Sequence, residues 1–264
     1  MDSLTSENPP VLVPPELPTR RHVWKFWGTV LWGLFAFVAL FAGQVLVLVY
    51  EVLRSGDFAD IAGTIRVAAS SGLTISLSVI MGLPTVVAAL WFAIRFTDTS
   101  FADYLGLRGT RPKNLAKNFL IGIAGLVAVI AIWEVLSRLT GRESEPGFMV
   151  DVLKSARDDG ALLLLILAFC VAAPVSEEFF ARGFLYRGWS ESRLGPAGAI
   201  VLSSLVWTGL HLQYDWFFFG EVFTLGLWFG YLRYRSGSTW LTIVLHGLNN
   251  LGAVVQTIWL AGQG

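Results

Sequence analysis

The chain alternates long apolar runs with short polar connections. Runs of spanning length lie at about 26–50, 72–95, 118–138, 160–188, 197–213, 216–233 and 239–260. That pattern predicts seven membrane-spanning helices, and an eighth would reverse the side of the C-terminus. Residues 55–70 leave room for a further short helix between the first two spans. The connection at 98–117 is basic and partly amphipathic, which suits a membrane surface. The connection at 139–159 is polar and reads as a loop or a short interfacial helix. Strands do not enter the picture. In lipid only helices or closed barrels satisfy the backbone, and runs this long exclude a barrel. The expected fold class is all-α, a polytopic transmembrane helical bundle of about seven to eight spans.

The ends of the chain differ in character. Residues 1–19 are rich in proline and polar side chains and read as a disordered tail. Arg20, Arg21 and Lys25 precede the first apolar run, with Trp24, Trp27 and Trp32 as interfacial anchors. This run is too long for a cleaved signal peptide and lacks a small-residue cleavage site. Lysine and arginine are more frequent on the side that holds the N-terminus, so the N-terminus is expected in the cytoplasm. The chain divides into the tail at 1–19, N-terminal helices and loops at 20–159, and a C-terminal helical core at 160–264.

Composition agrees with a membrane protein. Hydrophobic residues make up 55% of the 264 and charged residues 14%, against roughly 25% charged in soluble domains. Nineteen basic and nineteen acidic residues cancel, so nothing favours a nucleic-acid partner. The single cysteine, Cys170, allows no internal disulfide and reads as a packing residue. The absence of long insertions suits a bacterial plasma membrane.

Candidate chemistry gathers in the fourth apolar run, at VAAPVSEEFFARGFLYRGWS, residues 171–190. Ionisable groups at that depth are costly and default to a functional reading. Glu178 and Arg182 are four apart and share a helix face, so they can pair. Glu177 points about 100° away with no basic residue at helical spacing. Pro174, just before it, can kink or open the helix. His211 and His246 fall within two further apolar runs. Trp207 is four before His211, and Asn250 is four after His246. A desolvated carboxylate can take a proton from water, while a histidine and an amide donate to a developing oxyanion. Alternatively, Glu177, His211 and His246 form an N/O donor set of the kind that holds catalytic zinc. Neither H-E-x-x-H nor G-x-S-x-G is present. Glu134 with Arg138 reads as a local ion pair. Glu221 reads as structural, near the outer end of the sixth run. Gly226 and Gly230 form a G-x-x-x-G that permits close helix packing.

Three of these stretches resemble one family. EEFFARGFLY is similar to the E-E-x-x-x-R motif of the CAAX-prenyl-protease and bacteriocin-processing (CPBP, or ABI) intramembrane proteases. His211 matches the histidine of its F-x-x-x-H motif, with Trp207 where phenylalanine is usual. His246 and Asn250 match its H-x-x-x-N motif. The resemblance covers about 160–255, and the YLGLR run at 104–108 adds to it. It implies an intramembrane endopeptidase acting on a membrane-associated protein or peptide. Glu177 would then be the general base, His211 its partner, and His246 with Asn250 the oxyanion stabilisers. Glu178, Arg182 and Trp207 would support the site. The resemblance leaves open both a zinc mechanism and a metal-free one. The alternatives to a protease are a catalytically silent immunity or scaffold protein and a proton-coupled carrier. For a carrier, the expected inverted repeat is not seen.

Overall fold

The computed structural model describes residues 22–107, 112–142 and 147–261. The expected tail at 1–19 lies outside them. Among the described residues, ten helices follow in order. They are α1 (Phe26–Ser55), α2 (Ile61–Ser70), α3 (Gly72–Ile94), α4 (Phe101–Tyr104), α5 (Pro112–Thr140), α6 (Gly147–Asp158), α7 (Leu162–Ser190), α8 (Gly195–Thr208), α9 (Trp216–Ser236) and α10 (Thr239–Ala261). No strand occurs among the described residues, and the protein is a helical membrane bundle. The expected short helix after the first span is α2, and the polar connection at 139–159 contains α6.

Among the described residues, five helices are long and apolar enough to cross a bilayer: α1, α3, α5, α7 and α10. The seven-to-eight count also included α8 and α9. Helix α8 has 14 residues, a length of about 21 Å, short of the roughly 30 Å of a hydrocarbon core. Helix α9 has the length, at 21 residues, but is more polar. One correction concerns α8. The apolar run 197–213 is not one helix containing His211: the helix ends at Thr208, and His211 lies in the turn beyond it.

Helix α7 runs through the centre of the bundle. Every residue from Phe179 to Leu185 is buried. Small residues let the other helices close on one another. Gly43 of α1 meets the Met81 carbonyl and Gly82 of α3, where a side chain would collide. Gly226 and Gly230 of α9 pack against Ser204 with Trp207 and against Ile200, so the G-x-x-x-G does serve close packing. Trp228 of α9 lies over Gly125 and donates from Nε1 to the Gly122 carbonyl at 3.1 Å, which ties α9 to α5.

Caps fix the loop ends. Asp215 Oδ1 accepts from Phe217 N and Phe218 N at the start of α9, and Gly237 ends it in the left-handed region at φ 70°. Helix α6 is clamped to the start of α3. Gly72 N donates to Ser155 Oγ at 2.8 Å, and Asp159 Oδ2 accepts from Ser71 Oγ at 2.9 Å and Leu73 N at 3.1 Å. Glu134 and Arg138 form the expected pair, at 2.6 Å.

Candidate active site

The hydrogen-bond ladder of α7 is irregular where the acids lie. Residues 168–172 and 179–185 form π-helical turns, with a short α segment holding Glu177 and Glu178 between them. Such turns shift side-chain directions within a helix and occur often at functional sites. Ala173 N bonds to the Ala168 carbonyl, five residues back. The next donor in that register would be residue 174, which is proline and has no N–H. Phe169 O would be left unpaired. Instead Asn250 of α10 donates from Nδ2 to Phe169 O at 2.9 Å. Beside it, Gly247 brings α10 against the Cys170 carbonyl, where an added Cβ would lie 2.6 Å from the oxygen. Pro174, Asn250 and Gly247 thus join α7 to α10 at the level of the acids.

The two adjacent glutamates separate as helix geometry requires. Glu178 is fully buried, and Arg182 Nη1 donates to its Oε1 at 3.0 Å. Arg182 also donates from Nη2 to the Gly226 carbonyl at 3.1 Å, and its Cζ lies 4.3 Å from the centre of the Trp207 ring. Arg233 Nε in turn donates to the Arg182 carbonyl at 3.2 Å. Glu177 faces a cavity and keeps 17% side-chain exposure. Its Oε2 accepts from Trp207 Nε1 at 2.6 Å. The tryptophan that stands where phenylalanine is usual therefore contributes its N–H to the acid, and its ring face to Arg182.

Both histidines turn toward Glu177. His211 Nε2 lies 4.0 Å and His246 Nε2 3.9 Å from Glu177 Oε2. Their other nitrogens set the tautomers. His211 Nδ1 is 3.1 Å from the Trp207 carbonyl, which can only accept, so Nδ1 carries the proton. His246 Nδ1 is 3.1 Å from Glu178 Oε1, a carboxylate, and carries a proton for the same reason. In the neutral rings both Nε2 lone pairs point into the site. Trp207 meets both rings edge to face, at centroid distances of 5.1 and 5.3 Å, and Phe229 stacks on His246 at 5.5 Å. The turn carrying His211 is held from outside by Arg142, whose Nη1 donates to Asp215 Oδ2 at 2.7 Å. Partial burial pushes the Asp215 carboxyl up. The Phe218 and Phe217 amides and the Arg142 guanidinium outweigh this and hold it below the usual carboxylate value.

The structure thus brings Glu177, His211, His246 and Trp207 together at one cavity of about 550 Å³, with Glu178 and Arg182 behind them. Asn250 also lines this cavity, but its Nδ2 is engaged by Phe169 O and its Oδ1 accepts from Asn249 Nδ2 at 3.2 Å. Residues 159–252 match the family model for Rce1-like type II CAAX prenyl endopeptidases. The chain carries an Rce1-like domain. Comparisons with curated proteins and with solved structures gave no match. The Rce1-like segment contains α7, α8, α9 and most of α10, and so every residue of the Glu177–His211–His246 set. At the family level the match supports an endopeptidase of the CAAX-protease type, in a multi-pass membrane protein.

The cavity itself reaches beyond the Rce1-like domain. Gln44, Ile75, Val79, Trp133, Phe148 and Met149 line it from α1, α3, α5 and α6. Sequence reasoning did not single these out, because an apolar side chain facing a cavity and one facing lipid follow the same pattern. Gln44 did carry a signal, as an amide inside a spanning run.

The donor set can be tested against zinc. A tetrahedral zinc with ligands at about 2.0–2.1 Å keeps them roughly 3.3 Å apart. Glu177 stands 3.9 and 4.0 Å from the two imidazoles, and its nearer oxygen already holds the Trp207 N–H. Among the described residues no three His, Cys, Asp or Glu side chains are grouped to hold a metal ion. The set is too open to fit the metal as it stands.

Proposed function

We propose that the protein is an intramembrane endopeptidase in which Glu177 activates water against a peptide bond of a membrane-associated protein or peptide. One observation carries this reading. A cavity-facing carboxylate oxygen lies 3.9–4.0 Å from two imidazole Nε2 atoms inside an apolar bundle. That gap is too long for direct hydrogen bonds. It suits one water, since two bonds of about 2.8 Å meeting near a right angle span about 4 Å.

The chemistry follows from the tautomers. Glu177 takes a proton from the water as its oxygen attacks the substrate carbonyl carbon. His211, fixed by the Trp207 carbonyl, accepts the water's second hydrogen through Nε2 and orients a lone pair. His246 is oriented by Glu178, which accepts its Nδ1 proton. When the ring carries a proton on both nitrogens, Nε2 donates to the developing oxyanion. Protonated Glu177 then passes its proton to the leaving nitrogen as the C–N bond breaks, which restores the carboxylate. Asn250 acts here as a positioning residue. It occupies the carbonyl that Pro174 leaves open and sets α7 against α10. No step is routed through a metal. We further propose that the N-terminus faces the cytoplasm of a bacterial cell.

The test compares the full-length protein with Glu177→Gln in lipid nanodiscs. Both are incubated with solubilised membrane peptides, new termini are read by mass spectrometry, and bound zinc is assayed on the same samples. Loss of general-base catalysis is expected to lower cleavage by about 10²–10⁴-fold. Equal cleavage by both proteins would refute the assignment of Glu177. Stoichiometric zinc that leaves with the mutation would refute the metal-free mechanism.

A further inference from the structure

The site described so far leaves one acidic group unused. Glu221, on α9, lines the same cavity as Glu177, His211 and His246. It is half-buried, and among the described residues it makes no hydrogen bond or salt bridge. The charge acting on it is a like charge, that of Glu134, which is itself held by Arg138 at 2.6 Å. Its surroundings in the cavity wall are Trp133, Phe217, Phe218 and Val222. No lysine or arginine lines the cavity among the described residues. A carboxylate withdrawn from water beside aromatic rings, with no cation of its own, favours any ligand that brings one.

The position of Glu221 along α9 gives the reach. Phe229 stacks on His246 and so marks the level of the reacting atoms. Glu221 precedes it by eight residues, about 12 Å along the helix axis. An extended peptide covers at most about 3.3–3.6 Å per residue, so 12 Å corresponds to the third or fourth residue from the bond. A lysine or arginine side chain can cover part of that span itself, which brings the second and third residues into range.

We propose that Glu221 selects substrates carrying a cationic group two or three residues from the scissile bond. This rests on the endopeptidase reading of the same cavity and adds the substrate class to it. Two sources supply such a cation: a lysine or arginine side chain at that distance, or, without side-chain reach, the free α-amine of a peptide that begins three or four residues from the bond. The aromatic wall suits either, through cation–π contact with Trp133, which lines the cavity.

The experiment uses the full chain in nanodiscs of uncharged lipid, so that membrane attraction does not mimic selection. Peptide pools carry a degenerate apolar background and either lysine or norleucine at one fixed position, each with a free or acetylated N-terminus. Wild type should cut the lysine pool at least about tenfold faster than its norleucine twin, with the lysine two or three residues from the cut. Glu221→Gln should bring that ratio to about one. Glu221→Lys should reverse it in favour of an aspartate pool. A preference that follows only the free N-terminus identifies the cation as an α-amine and supports the site equally. A lysine preference that survives Glu221→Gln, or no preference in wild type, overturns the proposal. Should wild type cleave nothing, the endopeptidase reading falls, and binding decides this one. Fluorescently labelled pools should then bind the Glu177→Gln protein about tenfold tighter with lysine, and equally once Glu221→Gln is added. Equal binding before that addition would sink it.

Discussion

Arg182→Met is the sharpest probe of how the site is held. The guanidinium is fully buried and makes four contacts: Glu178 Oε1 at 3.0 Å, the Gly226 carbonyl at 3.1 Å, the face of Trp207 at 4.3 Å and that of Phe229 at 5.7 Å. Methionine has a similar length and keeps the packing. The loss is therefore electrostatic. Glu178 would remain as a charge sealed from water, with the His246 N–H and the Thr242 hydroxyl beside it. Breaking a buried pair by removing one partner costs about 3–5 kcal/mol. Removing both charges is different. A buried ion pair replaced by neutral groups of similar volume is often neutral in stability. Arg182→Met with Glu178→Gln should therefore recover most of the loss and stay within about 1–2 kcal/mol of wild type. The double-mutant cycle should give a coupling of at least about 2 kcal/mol.

Stability and activity should then part company. Glutamine at 178 can still accept from His246 Nδ1, but it brings no negative charge to that ring. The double mutant should be nearly as stable as wild type and deficient in cleavage. The assay is equilibrium unfolding in mixed SDS and dodecylmaltoside micelles, followed by tryptophan fluorescence, with cleavage measured on the same preparations. A loss under about 1 kcal/mol for Arg182→Met would refute the idea that Glu178 depends on this one cation. Full activity in the double mutant would refute the role given to the Glu178 charge.

Three further perturbations address the parts around this pair. Asn250→Leu should cost about 1–3 kcal/mol, since it leaves the Phe169 carbonyl buried without a donor. It should lower kcat more than it raises KM, and Asn250→Gln should not restore either, because the longer side chain misplaces the amide. Arg142→Gln breaks an exposed pair with Asp215, so unfolding should change by at most about 1 kcal/mol. Cleavage should fall further than that, because the turn carrying His211 loses its outer tether; a variant with wild-type rates would separate the two. Asp159 is held below the usual carboxylate value by the Leu73 amide and the Ser71 hydroxyl, so its stabilising share is present above the unfolded value and lost as pH falls through the folded one. Asp159→Asn should accordingly lower stability in the neutral region, flatten the acid limb of the unfolding profile and converge on wild type at low pH, which a midpoint series from pH 7 down to pH 3 would check.

Much of the site could be read before any coordinates. Spacing alone separates Glu177 from Glu178 and gives Arg182 to the second, because a helix turns about 100° per residue. The intramembrane histidines stand out for the same reason as the acids: polar groups at that depth need partners. Two things escaped that reading. Hydropathy does not mark where an apolar helix ends, so the run 197–213 hides the turn at Gly209 that releases His211 from α8. A helix stop inside an apolar run depends on tertiary packing and on caps, here Asp215 and Arg142, which lie outside the run. The destination of Asn250 also escaped. Its spacing from His246 puts both on one face, but the carbonyl it serves exists only because α7 adopts a π turn before Pro174.

The division of the cavity between two parts of the chain has a consequence for selectivity. The reacting groups all lie within the Rce1-like segment, on α7, α10 and the turn after α8. The opposite walls come from helices outside it, with Trp133 on α5 and Phe148 on α6. Trp133 packs edge to face on Phe217 at 5.1 Å and over Gly220, next to Glu221. Phe148 meets Tyr214, three residues from His211, at 6.4 Å. Among the described residues, the ring contacts of Trp133 and Phe148 are with Phe217 and Tyr214 and not with His211 or His246. Truncating them should enlarge the cavity without disturbing the base, so Trp133→Ala and Phe148→Ala should change which peptides are cut rather than how. The expected outcome is a broadened set of residues flanking the cut, with KM moved more than kcat for the best wild-type peptide. That can be read from termini produced from one degenerate pool. Uniform loss of kcat across the pool would show instead that these walls hold the reacting groups, and the separation between chemistry and selection would have to be given up.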